Sequence, residues 1–179
     1  IRRRQAWYSK NTIRVVTFKS LTFSRRCTMI ESNREIIKPS EKRVILPRFE
    51  ASALRGYCVS VLTASGGERS CAEAVADALI DAELTGVSTH GVSRLAVYMQ
   101  RMDAGVMSRE NNIRIVREST STLVVDAGNS LGAAAAKFAM ERCIAKAKET
   151  GCCFASVNSS NPFGTAAYYT RLAAAQDMI

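Results

Sequence analysis

The chain has 179 residues, enough for one medium domain or part of a larger one, and 47% of them are apolar, an ordinary proportion for a globular protein with a sizeable core. Its formal charge of +9 invites a nucleic-acid reading, but eight of the Lys and Arg residues lie in positions 1–28, which hold no Asp or Glu. From Met29 onward the excess is only about +1, so a nucleic-acid partner has nothing but that first segment to rest on. No stretch is long and apolar enough to span a bilayer, and neither nucleic acid nor membrane is an expected partner.

Residues 1–28, "IRRRQAWYSKNTIRVVTFKSLTFSRRCT", are basic, hydroxyl-rich and acid-free, the composition of a mitochondrial presequence. The competing reading is a translated leader, since the chain begins with Ile and Met29 opens a segment of normal composition. The cysteines Cys27, Cys58, Cys71, Cys143, Cys152 and Cys153 show no C-x-x-C pair and no histidine at ligand spacing, so no metal site is expected. Cys152 and Cys153 sit inside an apolar run, where free cysteine acts as a small hydrophobe. The pattern indicates a reducing compartment, cytoplasmic, or mitochondrial if the first segment is a genuine presequence.

Residues 29–47 are polar and irregular; a first helix follows within residues 45–66 and ends at Gly66-Gly67. Ser70 with Glu73 three residues later has the form of a capping box, opening a second helix with an apolar stripe of Ala74, Val75, Ala78, Leu79 and Ala82 that Gly86 stops. A third helix is predicted from an N-cap at Ser88 or Thr89 to Asp103 or Ala104, with Val92, Leu95, Ala96, Met99 and Met102 buried. The period then becomes that of strands: residues 113–116 and 122–127 read as a hairpin-like pair. A long alanine-rich helix begins at Asn129 or Ser130 and stops at Gly151, before a short, fully buried strand at 152–157. After the loop "NSSNPFG" a last helix places Tyr169, Leu172 and Ala173 on its apolar side.

The third helix contains the only histidine. His90, Arg94, Tyr98 and Arg101 share one face, because four-residue steps nearly repeat the helical turn. A histidine at a helix start feels the positive end of the backbone dipole, which disfavours imidazolium and suits proton exchange near neutral pH. Thr89 can orient the ring, Arg94 offers a two-pronged donor for a carboxylate, and Tyr98 a phenol. A proton donor with a carboxylate clamp matches reduction of a 2-oxo acid. An ordinary solvated helix face matches the same spacing.

The segment "GVSTHGVSRLAVYMQRMDAGV" resembles the signature of the malate/L-lactate dehydrogenase family with a non-Rossmann NAD(P)-binding fold, which includes ureidoglycolate, sulfolactate and pyrroline/piperideine-2-carboxylate oxidoreductases. "DAELTG", "VVDAGNSLG", "ERCIAKAKETG" and "SSNPFGTAAYY" resemble further family segments in the same order, over roughly Leu46 to Ile179. The resemblance implies an α/β fold in which an N-terminal helical region, 29–106, packs on the truncated first part, 107–179, of a mixed-sheet cofactor and substrate domain. It implies an NAD- or NADP-dependent enzyme, a homodimer, acting on a small 2-hydroxy or 2-oxo acid. By the same resemblance His90 and Thr89 are catalytic, Arg94 and Tyr98 bind substrate, and Asn161, Phe163, Gly164 and Thr165 bind cofactor.

Two departures stand out. Family members usually read Asn-His-Phe-Gly where this chain has Asn161, Pro162, Phe163 and Gly164. Proline has neither a titratable group nor an N–H. Either His90 carries the proton chemistry alone, or the protein is an inactive relative serving as a dimerising or interaction module, or position 162 reflects a gene-model error. The chain is also about half the usual family length, and most of the family's cofactor contacts lie beyond the matched part. "GNSLG" at 128–132 lacks dinucleotide spacing and reads as a helix-start turn.

Overall fold

The computed structural model of the chain describes residues 13–14 and 48–179; the leader or presequence reading falls outside them. Among the described residues, five α-helices and four strands build a helical region and a small mixed sheet.

Helix α1, Ala51–Ala64, buries Cys58, Val59 and Leu62 against α2, Arg69–Leu84. The Gly66-Gly67 turn closes α1: Gly66 adopts φ +84°, and the Gly67 amide donates to the Leu62 carbonyl at 3.0 Å. The predicted stripe of α2 is buried, and so are Ala72, Ala76 and Ile80, because the helix is covered on more than one side. Its start differs from the capping box. Glu68 is the N-cap, accepting the Cys71 amide, and the Ser70 hydroxyl donates to the Glu68 carboxylate at 2.5 Å. Glu73 instead takes Arg69 in an i,i+4 pair. The longer carboxylate reaches the orphan amide from one residue before the helix and leaves Ser70 to brace it.

The third helix is shorter than expected. Two 3-10 turns, Ser88–His90 and Val92–Arg94, precede α3, Leu95–Asp103, and Gly91 between them is extended at φ −87°, ψ −153°. The delayed start rotates the faces: Tyr98 is buried, Ala96 is exposed, and Leu95 and Met102 face the core as predicted.

Strands β2, Arg114–Glu118, and β3, Thr122–Asp126, form the antiparallel pair, with an irregularity between Ile115 and Arg117. Helix α4, Gly132–Thr150, then crosses over to β4, Phe154–Asn158, which lies parallel to β3. A parallel neighbour needs a crossover of this kind. The pair Ile13–Arg14, strand β1, lies antiparallel to β4 and completes the order β1-β4-β3-β2. β4 is not fully buried: Ala155 and Val157 face the core while Phe154 is 39% exposed, the alternation of a sheet packed on one face only. The adjacent Cys152 is exposed and does not act as a small hydrophobe, whereas Cys153 is half-buried and packs against the sheet core.

Helix α5, Ala166–Ala174, buries Tyr169 and Ala173 as expected. Helix α4 joins two cores. Leu131, Ala133 and Ala134 belong to the cluster of α1, α2 and α3; Ala135 and Ala139 pack on Leu123, Val125 and Val157 of the sheet.

Candidate functional site

The histidine turn hangs from the end of α2. The Val87 amide donates to the Ala82 carbonyl at 2.8 Å, and the His90 amide donates to the Val87 carbonyl at 2.9 Å. His90 is exposed, and its Nδ1 lies 3.1 Å from the Thr89 hydroxyl. A hydroxyl can donate to a neutral Nδ1 and accept from a protonated one, so it serves the ring in both charge states. Nε2 is then the nitrogen left for another molecule.

Arg94 is half-buried at the end of the second turn. Tyr98 is only 4% exposed and joins the helical core, so the single polar face anticipated for His90, Arg94 and Tyr98 does not form. The break at Gly91 places His90 and Arg94 in separate turns ahead of the α-helix, and one periodic face cannot run through them. Burial raises the Tyr98 phenol above its ordinary pKa, and the nearby Arg94 and Arg101 guanidiniums partly oppose that. Arg94 and Tyr98 are thus electrostatic neighbours, with the phenol held protonated at neutral pH.

The loop 158–165 is held by "GNSLG". Asn161 is 8% exposed, and its Nδ2 donates to the Asn129 carbonyl, the Asn129 Oδ1 and the Ser130 carbonyl, each at 2.9 Å. Asn129 and Ser130 therefore do not cap α4, whose N-cap is Leu131; Asn129, at φ +60°, turns its acceptors toward Asn161. Ser130, fully buried, accepts the Asn112 amide and donates to the Glu110 carbonyl. Gly132 is obligatory for contact: a Cβ there would lie 2.0 Å from the Asn161 carbonyl oxygen and 2.6 Å from that of Pro162. Asn161 is therefore a buried anchor whose amide is already engaged by protein groups.

Beyond Asn161, Pro162 is exposed and Gly164 turns at φ +86°. The Tyr169 hydroxyl donates to the Phe163 carbonyl, and the two rings stack at a tilt, 5.5 Å between centroids. Burial pushes the Tyr169 phenol far up, with Tyr168 and Tyr98 adding to the effect, and the Tyr168 ring meets it edge-on at 5.0 Å. Tyr169 is a link that helical periodicity marked only as apolar. Thr165, the N-cap residue of α5, has a buried Oγ1 with no hydrogen-bond partner among the described residues.

A helical region joined to a small mixed sheet in this order is the partial fold of a class of hydroxy-acid dehydrogenases. Malate dehydrogenase from Pyrococcus horikoshii superposes with a TM-score of 0.70 at 35% identity, over 73% of this chain and 37% of that one. Sulfolactate dehydrogenase from Methanocaldococcus jannaschii gives 0.69 at 34%, over 72% and 37%. The chain belongs to the malate/L-lactate dehydrogenase family, whose profile matches residues 49–179. In sequence it is 38% identical over 121 residues to L-sulfolactate dehydrogenase of M. jannaschii, covering 68% of this chain and 35% of that protein. It is 29% identical over 132 residues to hydroxycarboxylate dehydrogenase B of Escherichia coli O157:H7, covering 74% and 37%. The chain thus spans little more than a third of the length of these relatives.

Proposed function

We propose that the protein is an NAD- or NADP-dependent oxidoreductase that interconverts a small 2-hydroxy acid and its 2-oxo acid, as a cytoplasmic homodimer. The observation that carries this reading is the His90 turn: an exposed imidazole whose Nδ1 is engaged by Thr89, leaving Nε2 for a substrate oxygen. In the reducing direction Nε2 delivers a proton to the carbonyl oxygen at C2; in the oxidising direction it removes one from the hydroxyl. Arg94 pairs with the substrate carboxylate through its planar fork, and Tyr98, buried in the helical core, backs the site rather than meeting the substrate directly.

The loop before α5 has a property suited to a nucleotide: Thr165 Oγ1 is buried and unsatisfied, and a buried hydroxyl without a partner is costly unless a ligand completes it. Phe163, Gly164 and Thr165 would hold the cofactor, with Asn161 anchoring the loop from behind. When bound, nicotinamide supplies or accepts the hydride. Residues 107–179 make up the first part of the cofactor and substrate domain, and 29–106 the helical region that presents His90.

The test is nicotinamide absorbance of the product of the full reading frame, with malate, lactate, sulfolactate and ureidoglycolate. Turnover of at least one, falling by about 100-fold or more in His90→Ala, is the expected result, that being the usual contribution of a general acid. Unchanged turnover in His90→Ala removes its role. No turnover on any acid favours the non-catalytic module that Pro162 in place of the family histidine points to.

A further inference from the structure

We propose that Glu83 is the positioning residue for His90, a role that rests on the reading of His90 as the proton-transfer group. Glu83 lies in the last turn of α2, and its Oε1 accepts the Val92 amide at 2.7 Å. Val92 opens the second 3-10 turn, so its N–H has no partner within that turn. A carboxylate acceptor makes this a charge-assisted hydrogen bond, among the stronger kinds.

Gly91 makes room for it. A Cβ on Gly91 would stand 2.0 Å from Glu83 Oε1 and 2.4 Å from Cδ, so the carboxylate occupies the space a side chain would fill. The φ of Gly91 is negative, and the requirement for glycine here comes from this contact rather than from a left-handed backbone.

His90 is consequently suspended between two attachments to the same turn of α2. On one side the Val87 amide is bound to the Ala82 carbonyl; on the other the Val92 amide is bound to Glu83. His90 precedes Gly91 directly, with its ring exposed and held only at Nδ1, by the Thr89 hydroxyl of the same turn. The point from which the ring projects is therefore set by the backbone of residues 87–92, which Glu83 grips from α2 while the Ser93 hydroxyl donates to the Ser88 carbonyl at 3.0 Å. Glu83 touches no reacting atom and acts through His90.

His90 is the only histidine, so its ring resonances in the full chain are unambiguous. In Glu83→Ala, the His90 ring signals should move or broaden and Val92 amide exchange should quicken by about 10- to 100-fold, the loss expected for a hydrogen bond to a charged acceptor. Glu83→Gln keeps an acceptor oxygen and should restore the ring signals, with exchange within a few-fold of the parent. Gly91→Ala, which attacks the same contact from the backbone side, should reproduce the Glu83→Ala spectrum.

The proposal is overturned if the ring signals and Val92 exchange of Glu83→Ala match those of the parent, or if Glu83→Gln behaves like Glu83→Ala. If Glu83→Ala unfolds, the Gly91→Ala and Glu83→Gln spectra decide by the same criteria. None of these readouts needs turnover, so failure of the dehydrogenase reading is seen separately, in the absorbance assay.

Discussion

The substitution Gly→Ala should change stability in opposite directions at two helical positions. Gly56 lies in the interior of α1, exposed, with nothing within 4 Å of the place a Cβ would take. Alanine there should stabilise by about 0.5–1 kcal/mol, chiefly through the unfolded chain's lost freedom. Gly132 is the first residue of α4, and its Cβ would lie 2.0 Å from the Asn161 carbonyl oxygen. That obstacle is backbone and cannot swing aside like a side-chain tip, so the loop must shift. Overpacking of this kind costs about 1–3 kcal/mol, and disturbing the Asn161 amide adds about 1 kcal/mol per hydrogen bond lost. The helix-propensity gain recovers at most about 1 kcal/mol. Gly132→Ala should therefore be net destabilising by about 1–3 kcal/mol. Urea unfolding followed by far-ultraviolet circular dichroism gives the sign from the midpoint at constant slope. Gly132→Ala as stable as the parent would refute the close approach of loop and helix.

Asn161→Ala should destabilise by about 2–4 kcal/mol, because it removes the donors to three acceptors and leaves the buried Ser130 carbonyl unpaired. Asn161→Asp should be worse at pH 7, since a carboxylate would face those acceptors with no proton to share; equal urea midpoints for the two variants contradict the assigned network. With iodoacetamide at pH 8, Cys152 should react first among the cysteines of the described residues, as it is exposed. Cys71, its thiol pushed up to about 11 by burial, and Cys143, pushed up to about 12 by burial and by Cys153, should lag until the protein unfolds; peptide mass spectrometry reads the order. Asp126 is held below its ordinary pKa of 3.8, first by the Gly128 amide and then by Arg114. Since the folded pKa is the lower one, its stabilising charge is fully present above the unfolded value and is lost as pH falls through the folded one. The stability difference between the parent and Asp126→Asn should accordingly be flat from pH 5 to 7 and shrink below pH 4, and a difference that grows on acidification contradicts the sign.

The parts of the fold that rest on local periodicity and punctuation were legible: α1 up to the Gly66-Gly67 turn, α4 up to Gly151 at φ +83°, and the β2–β3 pair. The start of α3 was not. The break at Gly91 depends on a carboxylate eight positions upstream on another helix, a contact that leaves no trace in the spacing of apolar residues. Tyr98 reads as part of a solvated face when the helix is phased from Ser88, whereas the regular helix begins at Leu95 and turns the ring into the helical core. The family segments pointed to His90 and to the loop at 161–165, but not to how each is supported. Glu83, Gly132 and Tyr169 lie within the family segments but act through tertiary contacts, which neither the segments nor the spacing reveals.

The two attachments of the His90 turn join residues five and nine positions apart, whereas Asn161 must find its acceptors 31 and 32 positions back and Arg171 its partner Asp81 across 90. Closing short loops comes at a lower entropic cost than closing long ones, and it is faster. During synthesis from the N-terminus, the histidine turn can therefore form on α2 while the loop of residues 158–165 is still inside the ribosome. The histidine turn is a product of neighbouring sequence; the 158–165 loop is added later, when α5 closes onto α2 through Arg171 and Asp81.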